Sequence, residues 1–169
     1  MRTLPYLLLL FFLLFLDLFT KYLVEANLSP GEVVEVLPSF FNITLVYNPG
    51  AAFGIFGNLS DTLRRVCLSS FSLLAVILLL KLFFVDSRGD ALSRFAIVAV
   101  LGGALGNLVD RIRYDKVVDF LDFYCGPYHW WTFNIADSAI SIGVSLLIFR
   151  MFFPREISRP ISDLPGREK

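Results

Sequence analysis

The sequence predicts an all-α polytopic membrane protein with four transmembrane helices and a small β-rich extracytoplasmic subdomain. Three observations predict it. Hydrophobic residues make up 56% of the 169, 18 of them Phe, and the mean hydropathy is +0.69, too apolar for a soluble domain of this length. Four segments reach the roughly 20 apolar residues that a hydrocarbon core requires. The stretch between the first two has the composition of strands.

The first span covers residues 4–24. Arg2 precedes an apolar run, as in a secretory signal, but no small-residue cleavage site follows Leu16 and the run continues through Asp17. It reads as a retained helix. Residues 25–62 follow as an extracytoplasmic β-rich segment. Residues 33–37 and 41–47 are rich in Val, Ile, Phe and Thr and are separated by Pro38-Ser39. They form a hairpin, continued by Asn48-Pro49-Gly50 and the apolar residues 51–56. A small sheet lying on the membrane surface is expected. The second span, 63–85, leads through a short connection, 86–93, to the third, 94–112. There Gly102 and Gly106 offer a face for close helix packing. Residues 113–133 form a second extracytoplasmic loop, and 134–153 the last span. The tail 154–169 contains Pro154, Pro160 and Pro165 and reads as a flexible cytoplasmic end.

Orientation follows the Lys and Arg residues of the flanks. With the N-terminus inside, nine lie inside and six outside, although Arg64 and Arg65 oppose the bias. Both termini are therefore expected in the cytoplasm. Trp130 and Trp131 fit an aromatic belt at the outer surface.

Composition also narrows the chemistry. A formal net charge of zero gives no reason to expect nucleic-acid binding. Cys67 and Cys125 form no metal-binding or redox motif. His129 is the single histidine and lies among Tyr128, Trp130 and Trp131, as an interfacial side chain would. A zinc site of the usual kind is not expected, nor is any cofactor. No Gly-x-Ser-x-Gly elbow is present for a serine hydrolase.

Polar residues at the span ends carry the functional argument. An ionisable group at membrane depth costs about 2.5–3.5 kcal/mol on insertion scales and is a functional candidate by default. Asp17 and Lys21 are four apart and share a helix face. They form either a self-neutralising pair at the helix end or part of a site. Asn107, Asp110 and Arg111 lie one turn beyond Gly106; Asp110 and Arg111 could simply brace each other. Asn134 can cap the last helix, which places Asp137 in its first turn, where the helix dipole favours a carboxylate. Asp119, inside Val117-Val118-Asp119-Phe120-Leu121, needs a partner. On the expected topology all these groups reach the same side of the bilayer. Two carboxylates in a poorly solvated site share a proton. One can then activate a water while the other donates to a carbonyl oxygen. Spacing alone leaves the meeting of Asp119 with Asp137 open.

Four blocks in order then resemble a known family, the lipoprotein signal peptidases (signal peptidase II). The blocks are Asp17-Leu18-Phe19-Thr20-Lys21, Asn48-Pro49-Gly50-Ala51-Ala52-Phe53, Gly102 through Arg111 running on to Val117-Val118-Asp119-Phe120, and Phe133-Asn134-Ile135-Ala136-Asp137. The resemblance covers nearly the whole chain. It implies a single membrane-embedded peptidase domain over residues 1–169 of a bacterial inner membrane, with its site on the outer face. Asp119 and Asp137 would be the catalytic pair. Asn48, Asn107, Arg111 and Asn134 would position substrate, with Gly50 in the same turn as Asn48. Asp17, Lys21 and Asp110 would support the site. The substrates implied are diacylglyceryl-modified prolipoproteins, cut just before the lipidated cysteine, with membrane lipids as surroundings and peptide-like antibiotics such as globomycin as inhibitors. Asp115 stands where the family usually has Gly, and Leu18 where Gln is common.

Two rivals are a small transporter, which should show an inverted repeat or broken helix, and a structural subunit whose charges only brace helices. The two outer segments are also expected to clamp an extended peptide by main-chain hydrogen bonds, bending at Gly50, Gly54 and Gly57.

Overall fold

The computed structural model describes residues 3–50, 60–85 and 90–153. Residues 51–56 with Gly54, Gly57, part of the connection 86–93 and the tail 154–169 lie outside the described residues.

The described chain runs α1 (Leu4–Asn27), β1 (Val33–Leu37), β2 (Phe41–Asn48), α2 (Asp61–Val85), α3 (Ala91–Tyr114), β3 (Val117–Cys125), β4 (Tyr128–His129) and α4 (Ile135–Phe152). All four helices are long and apolar enough to cross a membrane. Helix ends follow polar chemistry rather than the apolar runs. Asp90 caps α3 by accepting from Ser93 N at 3.3 Å, so the helix starts before the apolar stretch does. Its far end is closed by Asp115 at φ 60°, left-handed backbone, which ordinarily favours Gly. Asn134 caps α4 by accepting from Asp137 N at 2.9 Å.

α3 is the central helix, with α1 and α4 packed closely along it and α2 on another side. Gly102 faces Leu13 of α1, and Gly103 faces the Ala136 carbonyl of α4. α2 is the least embedded helix: only 6% of its most apolar window is buried. Its backbone approaches that of α3 and neither α1 nor α4. At its C-terminal end the Phe83 ring meets Tyr6 edge-on at 5.8 Å, with Arg94 stacked near both rings.

The four strands form one antiparallel sheet in the order β1-β2-β3-β4. It rests on the end of the bundle formed by the C-termini of α1 and α3 and the N-terminus of α4. Val24, Leu45, Val118 and Phe120 make the buried junction, with Leu28, Tyr114 and Ile135 against it. Sequence reasoning gives the β1–β2 hairpin but not β3, which occupies much of the expected loop 113–133. Period-2 alternation fails there because Asp119 and Asp122 are an odd number of residues apart and so point to opposite faces. Both are buried, at 2% and 6% exposure. Each face of β3 is covered, so neither reads as solvent-facing.

Candidate active site

Asp119 and Asp137 line one cleft of about 540 Å³, together with Asn48, Gly50, Asn107 and Arg111. Leu68 of α2, Ser141 of α4 and the segment Trp130–Phe133 complete its wall.

Sheet pairing brings the two acids together from opposite ends of a loop. After β4 the chain returns along β3: Leu121 N donates to Phe133 O at 2.8 Å and Phe133 N to Leu121 O at 3.1 Å. That register sets Asn134 beside Asp119 at the start of α4. Asn134 Nδ2 donates to Asp119 Oδ1 at 2.7 Å and to Val118 O at 3.1 Å, while its Oδ1 accepts from Asp137 N. One side chain thus touches the first acid and the backbone of the second. Asn107 Nδ2 donates to Asp137 Oδ1 at 2.8 Å. Asn48 Nδ2 donates to the other oxygen of Asp119 at 2.8 Å, and Asn48 Oδ1 accepts from Gly50 N at 2.8 Å. This turn fixes which way the Asn48 amide points. Gly50 has φ +83°, and any side chain there would strike Leu68.

Asp17, Lys21 and Asp110 lie behind the cleft rather than in its wall. Lys21 Nζ is 2.8 Å from Asp17 Oδ2 and 2.7 Å from Asp110 Oδ2, and it donates to Asn107 Oδ1 at 3.1 Å, so its charge faces two carboxylates and an amide oxygen. Asp17 Oδ1 accepts from Ala136 N at 2.9 Å, next to Asp137. Asp110 Oδ2 accepts from Val118 N at 3.1 Å, next to Asp119. The buried triad therefore holds the backbone beside both cleft acids. Gly106 is required by this arrangement, because a Cβ there would occupy the place of the Asp17 carboxylate. Asp110 pairs with Lys21, so the brace between Asp110 and Arg111 is not what the structure shows. Arg111 instead donates to Ser72 Oγ at 3.3 Å and Asn107 O at 3.2 Å.

Burial dominates the electrostatics of Asp119. It pushes the carboxyl up from 3.8 to about 7. The Asn48 and Asn134 donors and the Lys21 charge act the other way, and Asp137 adds to the rise. Desolvation wins because two amide donors replace only part of a carboxylate's hydration.

Sequence reasoning misses several members of this neighbourhood. Leu68 and Ser72 sit in an apolar span with no polar pattern to mark them. Arg65 of α2 pairs with Asp115 at 2.6 Å, across 50 residues of sequence. His129, read as a lone interfacial residue, places Nδ1 at 2.8 Å from Asp122 Oδ1 and stacks on Tyr124. Asn42 Nδ2 donates to the other oxygen of Asp122. Among the described residues no three His, Cys, Asp or Glu side chains converge as a metal's donor set.

Comparison with known proteins agrees over most of the length. The family model described as signal peptidase (SPase) II matches residues 9–153. The chain is 44% identical over 142 residues to the lipoprotein signal peptidase of Francisella tularensis subsp. novicida, covering 84% of this chain and 88% of that one. It is 46% identical over 138 residues to the lipoprotein signal peptidase of Syntrophus aciditrophicus, covering 82% and 86%. A solved bacterial membrane enzyme, determined by the in meso method at 1.9 Å resolution, superposes with a TM-score of 0.80 at 34% identity over 89% of this chain and 94% of that one.

Proposed function

The chain belongs to the signal peptidase II family, a family of membrane proteases, and from that premise we propose that it is an aspartic endopeptidase that releases signal peptides from diacylglyceryl-modified prolipoproteins. The bond cut is the one just before the lipidated cysteine. The enzyme works in the bacterial cytoplasmic membrane with both termini inside and the cleft at the outer face, as one peptidase domain whose β-rich parts, 25–62 and 113–133, are extracytoplasmic. Membrane lipids surround it, and peptide-like inhibitors of the globomycin kind would compete for the cleft. Membership in a peptidase family sets aside the transporter and the bracing subunit.

The observation that carries the mechanism is the pair of carboxyls, Asp119 and Asp137, facing one cleft through a shared set of Asn amides, with Asp119 held near neutrality at about 7. Asp119 keeps the shared proton and donates it to the scissile carbonyl oxygen. Asp137 accepts a proton from the attacking water. The tetrahedral adduct collapses as Asp137 passes that proton to the cysteine nitrogen and Asp119 takes back the proton on the former carbonyl oxygen; the C–N bond breaks to leave the signal-peptide carboxyl and the free amine of the lipidated cysteine. Asn48, Asn107 and Asn134 keep both acids oriented, and the Arg111 guanidinium provides fixed donors at the cleft wall.

The test is replacement of each acid in turn. Asp119→Asn and Asp137→Asn should each reduce cleavage of a diacylglyceryl-prolipoprotein by at least about 10²-fold, with protein still inserted and purified as a folded species. Robust turnover by either variant would overturn the dyad.

A further inference from the structure

Three residues on one face of α2 meet the site side of the molecule. Arg65, Leu68 and Ser72 follow i, i+3, i+7 spacing, so they share a face. Ser72 Oγ accepts from Arg111, Leu68 packs under Gly50 of the Asn48 turn, and Arg65 Nη1 is 2.6 Å from Asp115 Oδ2. Pro49, Arg65, Leu68, Arg111 and Asp115 enclose a small crevice beside the cleft. Among the helix backbones, α2 approaches that of α3 alone. Its backbone does not approach α4, so an opening remains between Leu68 of α2 and Ser141 of α4, both in the cleft wall. Its other end is held by Phe83 on Tyr6, and its cleft end by the Ser72, Leu68 and Arg65 contacts. Asp115 sits at φ 60°. A non-glycine residue in that region is strained and is worth asking about functionally.

We propose that Arg65 and Asp115 form a latch that holds the cleft end of α2 to the α3–β3 turn, setting the width of the lipid-facing opening between α2 and α4 and thereby positioning substrate. This rests on the endopeptidase reading above. Asp115 is the residue that makes the latch: glycine would suit its backbone better but would leave Arg65 without this acid. Neither residue touches the reacting atoms. Closing the latch seats Leu68 against Gly50, which keeps the Asn48 amide on Asp119. Opening it gives a lipidated cysteine room to enter sideways from the membrane.

The experiment uses the full-length protein in nanodiscs, with Cys67 and Cys125 replaced by Ser. Spin labels at Leu63 and Ile142, both exposed, report the α2–α4 separation by pulsed electron–electron resonance without substrate. Arg65→Ala, Asp115→Asn and Asp115→Gly should each broaden the distance distribution. The swapped pair Arg65→Asp with Asp115→Arg should narrow it again. A fluorogenic peptide carrying S-diacylglyceryl cysteine gives the kinetic readout. Each single variant should raise KM about twofold to fivefold with kcat less changed, the range an exposed ion pair supplies. The swap should restore KM. Raising salt to about 1 M should bring the parent's KM towards that of the variants and leave theirs unmoved. Asp115→Gly should also melt no lower than the parent, which separates the latch from loss of fold. Distance distributions identical in parent and variants would overturn the latch, as would singles whose KM matches the parent. If the parent itself does not cut the lipidated peptide, the endopeptidase reading fails, and the distances alone decide the latch.

Discussion

Asp119 is a carboxyl that the fold keeps from being an ordinary carboxylate. Its environment raises it to about 7. The sign of the pH dependence follows. Below about 7 Asp119 holds its proton and can donate to the carbonyl oxygen. As pH rises through about 7 that proton is lost and the donor disappears. The expected kcat/KM therefore has an alkaline limb that begins near pH 7 and falls about tenfold per unit thereafter. A profile flat to pH 9 on a lipidated peptide would remove Asp119 as the proton donor. The amides matter at the same scale. Asn134 touches both acids, a role that its place as a helix cap shows only in part.

Among the elements, α3 owes its start to one acid. Asp90 accepts from Ser93 N and Ser93 Oγ and from Arg150 Nε at 2.8 Å, so it ties the start of α3 to the end of α4. The Arg150 bond, then the Ser93 bond, holds its carboxyl at about 2, below the ordinary 3.8. A lowered carboxyl contributes stability that is present above 3.8 and lost as pH falls towards 2. Asp90→Ala should cost about 1 kcal/mol at pH 7, and the gap between variant and parent should close as pH falls from 4 to 2. A gap that persists at pH 2 would mean that the charge is not what Asp90 supplies. The sheet shows why an element can be hidden in a sequence. The hairpin β1–β2 carries turn residues and β-branched runs, whereas β3 is covered on both faces and its acids break the alternation that would have announced it.

For the molecule as a whole, Lys21 is the point at which separate parts are joined. Its ammonium pairs with Asp17 and Asp110 and donates to Asn107, and those acids hold Ala136 N and Val118 N. Four elements and both cleft acids depend on one buried charge. Lys21→Met should destabilise by about 3–5 kcal/mol, because it leaves two buried carboxylates without a counter-ion. Thermal unfolding in detergent measures it, and a loss under 1 kcal/mol would show that the triad is not what joins these parts. The double variant Asp17→Asn, Asp110→Asn in the Lys21→Met background should recover part of the loss, since neutral amides no longer need the cation.

The sequence by itself determined the four spans, the β1–β2 hairpin and the family, and it marked the acids, the amides and Lys21 but not Ser72, Thr132, Ser141 or Arg65, because apolar run length, turn residues and buried-charge cost are properties of local composition, whereas a hydroxyl or an exposed Arg carries no such mark. Only the tertiary structure decided the partners. Lys21 reaches Asp110 across 89 positions, Asn48 reaches Asp119 across 71, and Arg111 turns to Ser72 rather than to its neighbour Asp110. The pairing of Phe133 with Leu121 is what places Asn134 against Asp119. These choices depend on which helix faces and strand registers pack, and a desolvated charge takes the partner that packing brings within about 3 Å, however near another lies in the chain.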